Sequence, residues 1–254
     1  MNDNESEFSK DWELLKTHLY KHQSDLLLLP EMPFCEWIAL ELPVSKAQKK
    51  EAVEKHLRWL QKFDELAVDH IAYSMPVING DRYHNSAFLW KKGEGSQFLH
   101  SKQYFPEEEH FWEASWYDAD ENGFSIADIN GLKIGVLLCT EVWFTQHARS
   151  YGMQGIDLLL CPRATGKSSV AQWKRCGQTL AVISGAYCLS SNRTGFGKNN
   201  FHWGGAGWIA QPMDGELLAE TKETEKFITL TIDMTLAKKA KSEYPLYVKT
   251  GHVT

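Results

Sequence analysis

Three residues in this chain combine reactive chemistry with a telling position: Cys139, Lys102 and Glu31. Cys139 closes the largely apolar run 132–138, which follows Gly131 and reads as a strand buried on both faces. Thr140-Glu141 then open a segment with helical spacing, so the pattern predicts a strand turning into a helix at Cys139. Free N–H groups and the positive dipole end of a helix start favour a thiolate, the reactive form of cysteine. A cysteine in an intracellular protein is ordinarily a small buried hydrophobe, so its partners decide whether it is more. Glu31 follows the apolar stretch 26–30, at a strand's C-terminal end, where α/β proteins place their ligand crevice. Desolvation there raises a carboxyl's pKa and suits it to general-base work, whereas a solvent-facing glutamate would do nothing. Lys102 ends the strand within FLHSKQYFP, 98–106. Alone it reads as an edge-protecting charge; beside a thiolate it would lower that thiol's pKa and hold an oxyanion.

Positioning such groups takes alternating strands and helices. Trp12, Leu14, Leu15 and Leu19 predict a helix over 11–20, and Val53, Leu57, Leu60 and Phe63 predict one near 45–66. Strands are expected at 25–30, 70–77, 86–90 and 97–101, with turn chemistry at Asn79-Gly80-Asp81 and Gly93-Glu94-Gly95. After 132–138 come a helix to about 152, a strand at 156–161, a helix at 170–186 and a strand at 187–191. Stretches 206–210, 217–221 and 227–232 read as hairpin strands, and a last helix begins at 236–241. The alternation means α/β, and without linker or repeat it reads as one domain over 1–254.

Composition narrows the function. The 254 residues are 43% hydrophobic and 24% charged with net charge −6, which suits one α/β domain in the cytoplasm and argues against a nucleic-acid surface. No apolar run approaches the ~18 residues of a membrane span, and the polar start MNDNESEFSK has no signal-peptide core. Five cysteines without a C-x-x-C pair fit reduced thiols rather than a disulfide framework. The tract at 164–169 lacks the leading glycine of a phosphate loop, since position 161 is Cys. The glycines at 195–207 are too loosely spaced for a dinucleotide site, and the scattered histidines make no zinc pattern. Neither metal nor cofactor is expected.

Taken together, LLLLPEMPF at 26–34, HSKQYFP at 100–106 and IGVLLCTEVWF at 134–144 resemble the three motifs of the nitrilase, or carbon–nitrogen hydrolase, superfamily. Glu31, Lys102 and Cys139 stand in that family's order at its usual spacings of 71 and 37 residues. YHNSA around Asn85, SNRTG at 191–195 and GWIAQPMDGELLAE at 207–220 add to the likeness, which covers about 10–235. The resemblance implies a four-layer α-β-β-α sandwich that dimerises or forms a higher homo-oligomer, and a small-molecule substrate. It also implies that a strand usual before the first helix is missing here. Cysteine-dependent hydrolysis of an amide or N-carbamoyl bond would follow, with Glu31 as base and Lys102 with the Thr140 N–H as oxyanion donors. Glu113, eleven positions after Lys102, matches the second glutamate of the branch that hydrolyses carbamoyl amines; Glu107, Glu108 and Glu109 read as a solvated turn. Asn85, Trp143, Arg163 and Thr165 are candidate pocket residues. Two alternatives stay open: a nitrilase working through a thioimidate, and a truncated, non-catalytic family member.

Overall fold

Asn4 starts the first element by accepting hydrogen bonds from the N–H groups of Ser6 and Glu7, with Glu5 and Glu7 in the first turn. This cap lies inside the polar start, so helix α1 (Glu5–His22) is longer than the apolar spacing predicts. Phe8, Trp12, Leu15 and Leu19 form its buried stripe, and Leu14 faces solvent. Each buried large side chain contributes about 1.5–3 kcal/mol. Helix α2 (Lys46–Leu60) is capped by Ser45 and stops short of the expected 66; a 3₁₀ turn, Phe63–Glu65, follows. Its buried residues are Ala52, His56 and Trp59, so the expected stripe through Leu57 is displaced and Leu57 is exposed.

The structure, a computed structural model, describes residues 2–120, 123–222 and 224–248, and the ends of the 1–254 domain reading lie outside them. A first sheet runs in the order β1 (Leu26–Leu28), β2 (His70–Asn79), β3 (Arg82–Lys91), β4 (Gly95–Ser101). β1 is parallel to β2, and two hairpins bring β4 back to the direction of β1. The second sheet contains β5 (Ala127–Ile129), β6 (Leu132–Val136), β7 (Leu158–Arg163), β8 (Tyr187–Asn192), β9 (Trp208–Ala210) and β10 (Leu217–Glu220), in the order β10-β9-β8-β7-β6-β5. β6, β7 and β8 are mutually parallel, which requires the crossover helices α3 (Thr145–Met153) and α4 (Val170–Ser184). Gly177 lets α4 approach the sheet: a Cβ there would stand 2.4 Å from the Trp208 indole nitrogen. A last helix, α5, spans Met234–Ala240.

Period-two alternation sorts the side chains into layers. Ile71 and Tyr73 of β2 pack with Phe8, Trp12 and Trp59 of the first helix pair. Ala72, between them, faces the other way and joins Leu89 and Leu99 against Val136, Leu160 and Tyr187 of the second sheet. Leu159 and Cys188 point outward to Ala148, Leu180 and Ala181 of α3 and α4. The packing order is helix, sheet, sheet, helix. No helix among the described residues is long and apolar enough to cross a membrane.

One expected strand is not formed. Residues 227–232 are irregular and make no main-chain hydrogen bond among the described residues. Among the described residues β1, the natural neighbour, pairs only with β2, and its free edge and 227–232 line a common cavity of about 340 Å³. With no strand in reach the main chain has nothing to pair with; Thr229 Oγ instead meets His18 Nε2 at 2.9 Å and Ser24 Oγ at 3.0 Å.

Candidate active site

β1 and β4 run the same way in the first sheet and β6 and β7 in the second, and the residues following these strands meet. The Glu31 N–H donates to the Arg163 carbonyl at 3.2 Å, tying the end of β1 to the end of β7. Arg193 fastens the same loop from behind: its guanidinium donates to the carbonyls of Glu31 (3.2 Å), Cys35 (2.9 Å) and Met32 and pairs with the buried Asp3. Sequence reasoning singled out neither Asp3 nor the role of Arg193, since nothing in their spacing shows that they meet.

Lys102 follows β4, held by its N–H to the Asn85 carbonyl at 2.8 Å. Its ammonium lies between two carboxylates, 2.9 Å from Glu31 Oε1 and 2.6 Å from Glu113 Oε2. Asn85 Nδ2 donates to the same Glu31 oxygen at 2.7 Å. All four side chains are fully buried. Burial opposes the charge of Lys102, but Glu113 and Glu31 outweigh it and hold the ammonium above the usual lysine range. Two carboxylates share this one cation, so the second keeps a proton more readily. Burial pushes Glu113 up to about 8, against the pull of Lys102 and with repulsion from Glu31. One oxygen of each carboxylate, Glu31 Oε2 and Glu113 Oε1, and Asn85 Oδ1 are buried without a hydrogen-bond partner.

Cys139 sits beside this cluster, 3% exposed, with its Sγ 3.8 Å from the Ala164 carbonyl. Its φ of +46° is strained for a residue carrying a Cβ, as at sharp functional corners. The helix expected to start here is a five-residue 3₁₀ turn, Cys139–Trp143, and α3 begins only at Thr145. So short a turn carries little of a helix dipole. Burial, then the charge of Glu31, hold the thiol above its ordinary range despite Lys102. Both effects act against the resting thiolate that the sequence predicts.

The remaining candidates separate. Thr140 follows Cys139 directly and is half-buried. Arg163 is buried, with three of its N–H donors engaged by Ser190 Oγ, Thr165 Oγ1 and the Ala206 carbonyl, and its guanidinium lies 4.0 Å from the Trp208 ring centre. Thr165 is held by Asn192, and Trp143 stands 46% exposed against Trp173. Glu107, Glu108 and Glu109 are exposed, unlike Glu113.

The family model for carbon-nitrogen hydrolases matches residues 3–242. The chain belongs to the carbon–nitrogen hydrolase family. Among solved structures, a carbon–nitrogen hydrolase from Helicobacter pylori G27 superposes with a TM-score of 0.83 at 21% identity, covering 94% of this chain and 87% of the other. Among curated relatives, an N-carbamoylputrescine amidase from Arabidopsis thaliana is 25% identical over 164 residues, 59% of this chain and just over half (54%) of the relative. A citrullinase from Francisella tularensis is 24% identical, with 76% of this chain and 70% of the relative aligned. The chain therefore has the α/β fold of its family.

Proposed function

We propose that this enzyme hydrolyses an amide or N-carbamoyl bond of a small molecule through a thioester on Cys139. Glu31 takes the Cys139 proton as Sγ attacks the carbonyl carbon, and the carbonyl electrons move to oxygen. Lys102 Nζ and the Thr140 N–H donate to that oxyanion. Collapse of the tetrahedral adduct breaks the C–N bond, and Glu31 protonates the departing nitrogen. Water then gives a proton to Glu31 and attacks the thioester carbon. The second collapse releases the acid, and Cys139 sulfur takes its proton back from Glu31. A carbamoyl product would continue to carbon dioxide and ammonia.

The observation that carries the substrate class is the unpartnered carboxyl oxygen Oε2 of Glu31. A buried acceptor without a donor is costly, and the NH₂ of an amide or carbamoyl group supplies the missing N–H bond. A nitrile has no N–H and would leave this acceptor unsatisfied. The amidase and citrullinase names of the relatives point to the same class. The test is ammonia release from a panel of amides, N-carbamoyl amines and nitriles. Amides or carbamoyl amines turn over, an acyl adduct forms on Cys139, and Cys139→Ala loses about 10⁶-fold while staying folded. Turnover of nitriles alone, or activity surviving in Cys139→Ala, overturns the proposal.

A further inference from the structure

Two fully buried charged-type residues at this end of the sheets take no part in the chemistry above: Glu141 and His100. Glu141 Oε1 accepts from the Gln103 N–H at 2.9 Å, and Oε2 accepts from the Leu138 N–H at 2.7 Å and faces His100 Nε2 at 2.8 Å. Gln103 is the residue after Lys102; Leu138 is the residue before Cys139. A single carboxylate thus joins the chain carrying the oxyanion cation to the chain carrying the nucleophile. The carboxylate can only accept, so His100 Nε2 is the donor, and its ring packs on Phe124 at 4.8 Å. The joint is reinforced where Tyr104 stacks on Phe144 at 3.7 Å and meets His147 Nε2 at 2.8 Å through its hydroxyl.

The strain at Cys139 shows what such a joint is for. A residue at φ +46° persists only when its surroundings over-determine it. Leu138 is held on the upstream side by the Glu141 side chain, and the Glu141 N–H closes back on the Leu138 carbonyl at 3.0 Å. Cys139 is therefore bracketed between two bonds made by one residue. The other oxygen of that residue carries the constraint across to Lys102.

We infer that Glu141 is a positioning residue that fixes the Cys139 corner against the Lys102 strand end, with His100 orienting its carboxylate. The inference rests on the proposed Cys139 chemistry. Glu141→Gln keeps the shape but turns an NH₂ toward a backbone N–H, and His100→Leu removes the orienting donor. His100→Gln restores an N–H near the position of Nε2.

Two readouts test this. On the best substrate of the panel, Glu141→Gln lowers kcat roughly 10²-fold with KM changed less than about threefold, the scale of an ångström-sized misplacement. Independently of turnover, iodoacetamide labels Cys139 and the half-buried Cys35 in one molecule, and the ratio of their rates reports the corner against a standard for general opening. That ratio falls about tenfold in Glu141→Gln and His100→Leu, because the thiol moves off its base, and His100→Gln recovers most of it. An unchanged ratio, or a rise signalling mere opening of the site, overturns the inference. So does a lower melting temperature with kcat per folded molecule intact. If Glu141→Gln does not fold, the two His100 variants decide. If the wild-type protein turns over nothing in the panel, the proposed function fails while the labelling ratio still judges the joint.

Discussion

Two regions flank β1 and are built on opposite terms. At its C-terminal end, Glu31, Lys102, Glu113 and Asn85 are fully buried and cross-bonded, and the backbone around them is tied to both sheets. Along its outer edge, three residues of strand face a cavity and an unpaired segment, 227–232. The site spends burial on charges, which only dense hydrogen bonding makes tolerable. The edge leaves backbone groups unpaired in an apolar slot, which is tolerable because water or another chain can reach them. A buried reactive cluster demands the first condition, and an open edge of the second kind can accept another strand.

The comparison breaks most sharply at Lys102. Lys102→Ala removes an oxyanion donor worth about 2.7–4 kcal/mol in kcat/KM. It also leaves the buried Glu31 and Glu113 carboxyls facing each other without their cation, a loss of about 3–5 kcal/mol in stability. Sequence position alone would make this lysine an edge charge with little effect on melting; burial between Glu31 and Glu113 reverses that. The loss shrinks as pH falls and the carboxyls take protons, so melting of the variant against wild type at pH 5 and pH 8 checks it. A Lys102→Ala protein that melts like wild type at both would mean that the cluster is not closed.

Glu113 sharpens the same picture with a smaller effect. Its carboxyl, raised from 4.5 to about 8, stays protonated in the fold at neutral pH. Its contribution to stability is full below pH 4.5 and is lost as pH rises through about 8. Deprotonation adds a second negative charge beside Cys139, so kcat/KM falls on an alkaline limb near pH 8. Glu113→Gln lowers kcat tens-fold by weakening the hold on Lys102 and erases that limb, whereas Glu107, Glu108 and Glu109 tolerate the change. A limb surviving in Glu113→Gln assigns it to another group.

The smallest effects lie along the slot. Thr229→Ala loses two side-chain hydrogen bonds and about 1 kcal/mol of stability without change in kcat. We propose that the open edge makes the chain self-associate. Light scattering then gives an oligomer that Leu230→Lys, on the exposed rim, shifts toward monomer with activity kept. A wild-type monomer at micromolar concentration removes this reading.

What the sequence by itself determined is the set of local patterns. Apolar runs and their period set the strands at 70–77 and 187–191 and the helix at 170–186 to within three residues, because burial on one or two faces leaves a local signature. Glu31 and Cys139 each close an apolar run, but the order and spacing of Glu31, Lys102 and Cys139 were legible through the resemblance to the nitrilase superfamily. Only the tertiary structure decided three things. It set the Cys139 thiol above its ordinary range, since that depends on burial and on Glu31 rather than on the chain just after it. It left 227–232 unpaired, since a strand exists only with a neighbour. And it brought Glu141 to Gln103 and Leu138, a meeting set by how two sheets pack, which no spacing along one chain records.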